Sequence, residues 1–298
     1  MTVLRGLDVR MRLARLFCVT DARLARGDLP DVAEGLSRAG VDLLQLRDDK
    51  ASDAEKLTAL EQLRAAAQPN GLVSVYADYH LAQEFGADVL HLPKGRPTAA
   101  KARGYVSEWA QLGRSCYSAD EIDAALADDG IAFLTVGPMV GRIPWRGAQP
   151  GLDLVRHAAT VAPPARPGSK PWFAIGGITL DNLDQVLDAG ARRVAVGRAI
   201  VDADDPAAAA GRFSDRLRAA WGDEFESFTL GALSSGGFRS VAGAAPVAGA
   251  APAPGEGLSM PAAPSDAGAD DDSGEADDLS PARSAGADDP EACDLDGH

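Results

Sequence analysis

Trp172-Phe173-Ala174-Ile175-Gly176-Gly177-Ile178, then a helical stretch, then Arg193-Val194-Ala195-Val196-Gly197-Arg198-Ala199-Ile200 is the passage that decides the fold. A short apolar strand ends in two glycines, a helix follows, and a second apolar strand ends in Gly-Arg. Two adjacent parallel strands ending this way set bare backbone N–H groups beside a guanidinium. That pairing suits a phosphate, and (β/α)₈ barrels commonly hold one past their last two strands. The expected ligand is a phosphorylated small molecule.

The same alternation runs outward from this passage through the first 220 residues. Apolar periodicity and turn residues predict strands at 16–20, 43–46, 72–76, 89–92, 111–114, 131–136, 172–175 and 194–196. Helices are predicted at 30–39, 53–67, 79–85, 97–103, 122–126, 152–161, 179–189 and 206–221. Fully apolar strands imply burial on both faces, as in parallel sheets. Alternating strands and helices imply an α/β fold. Eight such units, with no strand-linked G-x-G-x-x-G fingerprint, favour a closed (β/α)₈ TIM barrel over an open doubly wound sheet.

Charge divides the chain unevenly. It has 298 residues and a net charge of −15. From residue 223 onward there are 16 acids and 2 bases, so residues 1–222, with 28 acids and 27 bases, are nearly neutral. The expected organisation is one barrel domain over 12–221 and a disordered acidic tail rich in Ala, Gly, Pro and Asp over 222–298. The low isoelectric point therefore belongs to the tail and says little about the site. Cys18, Cys116 and Cys293 have no metal-ligand spacing and are expected to be reduced thiols. No apolar run is long enough for a membrane span, the basic N-terminal segment lacks the apolar core of a signal peptide, and no basic stripe suggests nucleic acid. The expectation is a cytoplasmic protein with small-molecule partners; the sequence leaves a homo-oligomer open.

In a TIM barrel the chemistry lies just past the strand C-termini. Here those positions are Asp21, Arg47 to Lys50, Asp78, Pro93 to Arg96, Ser115 to Tyr117, Gly137 to Arg146, Gly176-Gly177 and Gly197-Arg198. Taken alone, several allow a structural role: Asp78 as a helix N-cap, Gly176-Gly177 as a tight turn, Arg198 as a surface arginine. His91, at the end of an apolar strand, reads as structural. Cys116 has no evident histidine partner.

Seven blocks in order resemble the thiamine-phosphate synthase/TenI family in its actinobacterial form. They are Val19-Thr20-Asp21, Gln45-Leu46-Arg47-Asp48, Gly86-Ala87-Asp88-Val89-Leu90-His91-Leu92, Gly113-Arg114-Ser115, Val136-Gly137-Pro138, Ala174-Ile175-Gly176-Gly177-Ile178 and Asp188-Ala189-Gly190-Ala191. The resemblance covers about residues 16–221. It implies a transferase joining hydroxymethylpyrimidine diphosphate to a thiazole phosphate, with release of pyrophosphate. It further implies that Gly176, Gly177, Gly197, Arg198 and Ile200 hold the thiazole phosphate. Gln45, Arg47, Lys94 and Arg142 meet the pyrophosphate, Arg47, Lys50 and Ser115 form the catalytic set, and Asp78 binds Mg²⁺.

The chain departs from the family pattern at several of these places. Lys50 arrives one position late, with Asp49 in its stead. Ala77 and Tyr79 replace the asparagine and arginine that flank the metal aspartate, and the second metal aspartate is missing near Arg96. Ser115-Cys116-Tyr117 lacks the family's histidine, which disfavours the tautomerase branch. Arg142-Ile143-Pro144-Trp145 replaces a segment with two hydroxyls and a lysine. Lys94, Arg96, Arg142 and Arg146 add cations at the rim. The alternatives to a synthase are a non-catalytic phosphate-ester-binding paralogue and another phosphate-handling barrel enzyme.

Overall fold

The eight apolar runs form a closed barrel of parallel strands in sequence order, β1 to β8, with β8 returning to β1. The strands are β1 (Leu16–Thr20), β2 (Leu43–Leu46), β3 (Leu72–Tyr76), β4 (Val89–Leu92), β5 (Gln111–Cys116), β6 (Phe133–Val136), β7 (Trp172–Ile175) and β8 (Val194–Val196). The helices are α1 (Leu7–Leu13), α2 (Leu29–Arg38), α3 (Asp53–Ala66), α4 (Tyr79–Phe85), α5 (Ala99–Arg103), α6 (Ala119–Ala127), α7 (Gly151–Val161), α8 (Leu183–Asp188), α9 (Arg198–Val201), α10 (Pro206–Trp221) and α11 (Glu224–Ser235). This computed structural model describes residues 6–95, 97–139, 151–166 and 168–235.

Helix starts follow capping chemistry. Ser52 and Glu55 exchange hydrogen bonds in a capping box that opens α3. Asp78 opens α4, its Oδ1 accepting from the Leu81 N–H at 2.9 Å. The larger core lies between strands and helices. A second cluster fills the barrel interior: Phe17, Leu43, Leu72, Val89, Phe133, Phe173 and Ala195 form an apolar floor, closed from below by Met11 of α1. Gly113 belongs to this floor because the Phe133 ring occupies the space of a side chain; an added Cβ would lie 2.2 Å from Cζ.

Both ends of the domain extend past the expected 12–221. At the start, α1 plugs the barrel. At the end, Phe228 of α11 is buried with Trp221, Val9 and Leu13. Arg193 is buried against this cluster, its guanidinium over the Trp221 and Phe228 rings and bonded to the carbonyls of Arg12 and Ala14. The expected tail therefore begins later than residue 222. Phe225 and Phe228 supply an apolar helical face that the tail's average composition conceals. Beyond residue 235 the expected tail lies outside the described residues, as does Cys293. Among the described residues no helix is long and apolar enough to cross a membrane.

Candidate functional site

Side chains that point inward recur every second residue along a strand, so the barrel interior is stacked in layers. Two residues above the apolar floor come Val19, Gln45, Ser74, His91, Ser115, Thr135 and Ile175. Two residues higher come Asp21, Arg47, Tyr76 and Tyr117. Together with Gly176 to Thr179 and Gly197 to Ala199, and apart from Ser74, they line one cavity of about 1030 Å³ at the C-terminal end of the strands. Its floor is apolar, its middle layer neutral and polar, and its rim charged. A smaller cavity of about 170 Å³ adjoins it, sharing Arg47 and Tyr76 and adding Asp48, Asp49, Lys56 and Asp78.

The turns after β7 and β8 form one wall. Gly176 has φ +100° and Gly177 φ +66°, a region that favours glycine. A Cβ on Gly176 would also lie 2.6 Å from the Pro138 Cβ. Asn182 braces the turn, donating to the Gly177 carbonyl at 2.8 Å and accepting from the Thr179 N–H at 2.9 Å. The N–H groups of Gly176, Gly177, Ile178, Gly197, Arg198 and Ala199 donate to no acceptor among the described residues. All six residues line the large cavity. Unspent backbone donors on two neighbouring turns are what an anion needs. Ile200 departs from the expected set. Its N–H donates to the Gly197 carbonyl at 2.8 Å and its side chain is buried.

The neutral layer is a hydrogen-bonded belt. Gln45 Oε1 lies 2.8 Å from His91 Nδ1 and accepts from Ser74 Oγ at 3.3 Å. His91 Nε2 lies 3.0 Å from Thr135 Oγ1 and 3.1 Å from Ser115 Oγ. Burial, with the nearby cations Arg47 and Arg114, pushes the His91 pKa down to about 3, so the imidazole is neutral at physiological pH. The Tyr76 and His91 rings pack edge to face, and the Arg47 guanidinium lies over the Tyr76 ring, 4.7 Å from its centroid. Burial raises the Tyr76 phenol pKa.

The remaining expected residues fall in different places. Gln45 is buried in the middle layer, below the rim where a pyrophosphate was expected to meet it. Ser115 is buried in the same belt. Lys50 is exposed and lines neither cavity; its N–H donates to Asp48 Oδ1. Lys94 is paired with Glu121 at 2.5 Å and also lines neither cavity. Arg198 is exposed at the cavity mouth. Arg96, Arg142 and Arg146 lie outside the described residues. Burial raises the Cys18 and Cys116 thiols to about 12, which leaves them protonated and poor nucleophiles.

Ser74, Tyr76 and Thr135 did not emerge from the sequence as site residues, although a signal was present. Val73-Ser74-Val75, Leu134-Thr135-Val136, Leu44-Gln45-Leu46 and Leu90-His91-Leu92 each carry one polar residue in an apolar strand. A lone polar group on a doubly buried strand must find partners, and four such groups on strands of one barrel meet in its interior.

The thiamine monophosphate synthase family model matches residues 16–200. A thiamine-phosphate synthase of Streptomyces avermitilis is 42% identical over 212 residues, covering 70% of this chain and 96% of that relative. One from Acidothermus cellulolyticus is 42% identical over 210 residues, with 70% and 96% covered. Among solved structures, a thiamine phosphate pyrophosphorylase from Pyrococcus furiosus superposes with a TM-score of 0.61 at 26% identity, covering 72% of this chain and 100% of that one. The match begins with the first strand and ends within the short helix after the last, so it spans all eight strands and the glycine turns after β7 and β8, and the chain belongs to the thiamine monophosphate synthase family.

Proposed function

We propose that the chain is a thiamine-phosphate synthase, a transferase that joins hydroxymethylpyrimidine diphosphate to thiazole phosphate. The observation that carries this reading is that the unspent amides after β7 and β8 and the Arg47 guanidinium line one cavity. Two phosphorylated substrates need two anion sites around a neutral middle. Gly176, Gly177, Gly197 and Arg198 hold the thiazole phosphate. Arg47, fixed over Tyr76, faces the diphosphate.

The reaction breaks the C–O bond between the pyrimidine methylene and the diphosphate, and the electron pair leaves with pyrophosphate. The thiazole nitrogen then bonds to the methylene carbon. Negative charge grows on the leaving group, and Arg47 is placed to meet it. The apolar floor and the belt keep bulk water from the electron-poor carbon.

Mg²⁺ is the metal this family implies. Among the described residues no group of three or more His, Cys, Asp or Glu side chains gathers into a metal site. Mg²⁺ takes one or two carboxylates and completes its shell with water and substrate phosphates, and the residues fit in that form. Asp78 Oδ1 is bonded to the Leu81 N–H, leaving Oδ2, and Asp49 lines the same small cavity. Asp78, with Asp49, would hold the ion, which would supply charge neutralisation for the leaving pyrophosphate.

The test is thiamine phosphate formation from both substrates, with and without Mg²⁺. Product that depends on Mg²⁺ supports the reading. Saturable thiazole phosphate binding without product would make the chain a binding paralogue, and no binding of either compound would leave a different phosphate-handling enzyme.

A further inference from the structure

We propose that His91 is a positioning residue: with its ring proton on Nδ1, it clamps the Gln45 amide oxygen and turns the Gln45 NH₂ group into the cavity as a hydrogen-bond donor. The role assigned to that donor rests on the synthase reading above; the clamp itself does not.

The belt admits two self-consistent proton arrangements, because an amide and an imidazole each have a donor side and an acceptor side. In the first, His91 Nδ1–H donates to Gln45 Oε1, and the Ser115 or Thr135 hydroxyl donates to Nε2. In the second, the amide is turned over, its NH₂ donates to Nδ1, and Nε2–H donates to a hydroxyl. The first gives the cavity a donor, the second a carbonyl.

The placement of Gln45 selects the first arrangement, because an amide oxygen facing Nδ1 can only accept. Gln45 Oε1 sits between Ser74 Oγ and His91 Nδ1, and the serine hydroxyl is a ready donor to it. Two hydroxyls, Thr135 Oγ1 and Ser115 Oγ, crowd Nε2 within 3.1 Å and lie 3.4 Å from each other. With Nε2 as acceptor, one donates to the ring and the other to its neighbour. With Nε2–H as donor, the ring proton goes to one hydroxyl and the other again bonds to its neighbour, so this pair accommodates either arrangement. Gln45 lines the cavity and its NH₂ is not among the buried, unpartnered side-chain atoms of the described residues, so in this arrangement the NH₂ is the end that reaches the cavity.

The imidazole suits this task because it cannot change charge under working conditions. It is buried among Phe17, Tyr76 and Phe133, and Arg47 and Arg114 are the charged groups that act on it. It therefore keeps one proton, and the site of that proton sets the polarity of the whole belt. A donor at this depth discriminates ligands that carry an acceptor there from those that do not, because an unmet buried donor is expensive.

The direct test needs no substrate. Nitrogen-15 spectra of the imidazoles in the unmodified full chain distinguish the two tautomers, and His91 is identified by contacts to the Phe133 and Tyr76 ring protons. The Nδ1–H form, unchanged between about pH 5 and 8, is expected; a dominant Nε2–H form overturns the proposal. Two substitutions give a second test. His91→Asn keeps a donor near the Nδ1 position, and His91→Gln places its donor nearer Nε2. Hydroxymethylpyrimidine diphosphate affinity is expected to stay within about threefold in the first and to fall roughly tenfold or more in the second. Equal losses in both overturn the clamp. A correct tautomer in a chain that makes no thiamine phosphate would retire the synthase reading and leave the clamp standing.

Discussion

Arg23 and Val201 join the first loop of the barrel to the last: Arg23 Nη1 donates to the Val201 carbonyl at 2.8 Å. The side chain is buried, and its other nitrogens grip both Asp28 oxygens, at 2.6 and 2.7 Å. Arg23 itself has φ +49°, uncommon for a residue with a side chain. Val201 ends α9, the helix whose first amides face the cavity. The clamp thus fixes one half of the proposed phosphate cradle from the neighbouring loop, since β8 pairs with β1.

Arg23→Lys is expected to loosen that half. A lysine cannot reproduce the two-pronged contact with Asp28. Loss of buried charge-assisted bonds should lower stability by about 1.5–3 kcal/mol. Inorganic phosphate should bind roughly tenfold more weakly, while inorganic pyrophosphate should bind nearly as before. Calorimetric titration with both anions checks this, and equal loss for both would separate Arg23 from the cradle.

Gly176→Ala should weaken phosphate binding more severely. The new Cβ meets Pro138 within 2.6 Å at a φ that L side chains rarely adopt. The turn must shift, and its amides shift with it. A stability loss of about 1–3 kcal/mol is expected, with thiazole phosphate KM rising while hydroxymethylpyrimidine diphosphate KM stays nearly constant. Steady-state kinetics with each substrate varied in turn decides the matter.

Asp78→Asn separates capping from metal binding. Asparagine caps helices as well as aspartate does, so thermal stability should change by less than about 0.5 kcal/mol. Mg²⁺-dependent product formation should fall by roughly a hundredfold or more if this carboxylate holds the ion. Full activity in the variant would leave Asp78 as a cap alone.

Ala77 supports that aspartate at φ +63°, with its N–H on the His91 carbonyl and the Asp78 N–H on the Tyr76 carbonyl. Alanine is disfavoured in this region by about 1 kcal/mol. Ala77→Gly should therefore raise stability by about 0.5–1 kcal/mol, read as a higher denaturant midpoint at constant m-value. A lower midpoint would show that the side chain contributes packing that outweighs the strain.

The barrel was legible because its strands are short, apolar and punctuated. β1, β2, β3, β4, β7 and β8 lie where periodicity puts them. What escaped was set by tertiary contact. Nothing local marks α9, four residues that follow Gly197 at the end of β8. The residues of α11 read as tail until Phe228 meets Trp221. In the site, the glycine turns were visible as a motif, whereas the belt was not. Gln45 and His91 lie 46 positions apart, and only barrel closure makes them partners. Lys94 shows the converse: its rim position could be read from the chain, its pairing with Glu121 could not.

The buried imidazole also sets an acid limit on the fold. His91 has its pKa lowered to about 3 by burial and by Arg47 and Arg114, against 6.5 in the unfolded chain. Between those values the unfolded state binds more protons than the folded one. The contribution is therefore fully present above about pH 6.5 and is lost as pH falls toward 3, by about 1.4 kcal/mol per unit in the middle of that range. Carboxylates titrate in the same window, so the informative quantity is a difference. His91→Asn removes this proton uptake and leaves the others in place, including Asp42, whose pKa burial raises. Denaturant unfolding at pH 6.5, 5.5 and 4.5 should show the gap between the two proteins shifting in favour of the variant by about 1.4 kcal/mol per unit. Parallel curves would mean that the folded protein already accepts the proton, and that the belt is open to water.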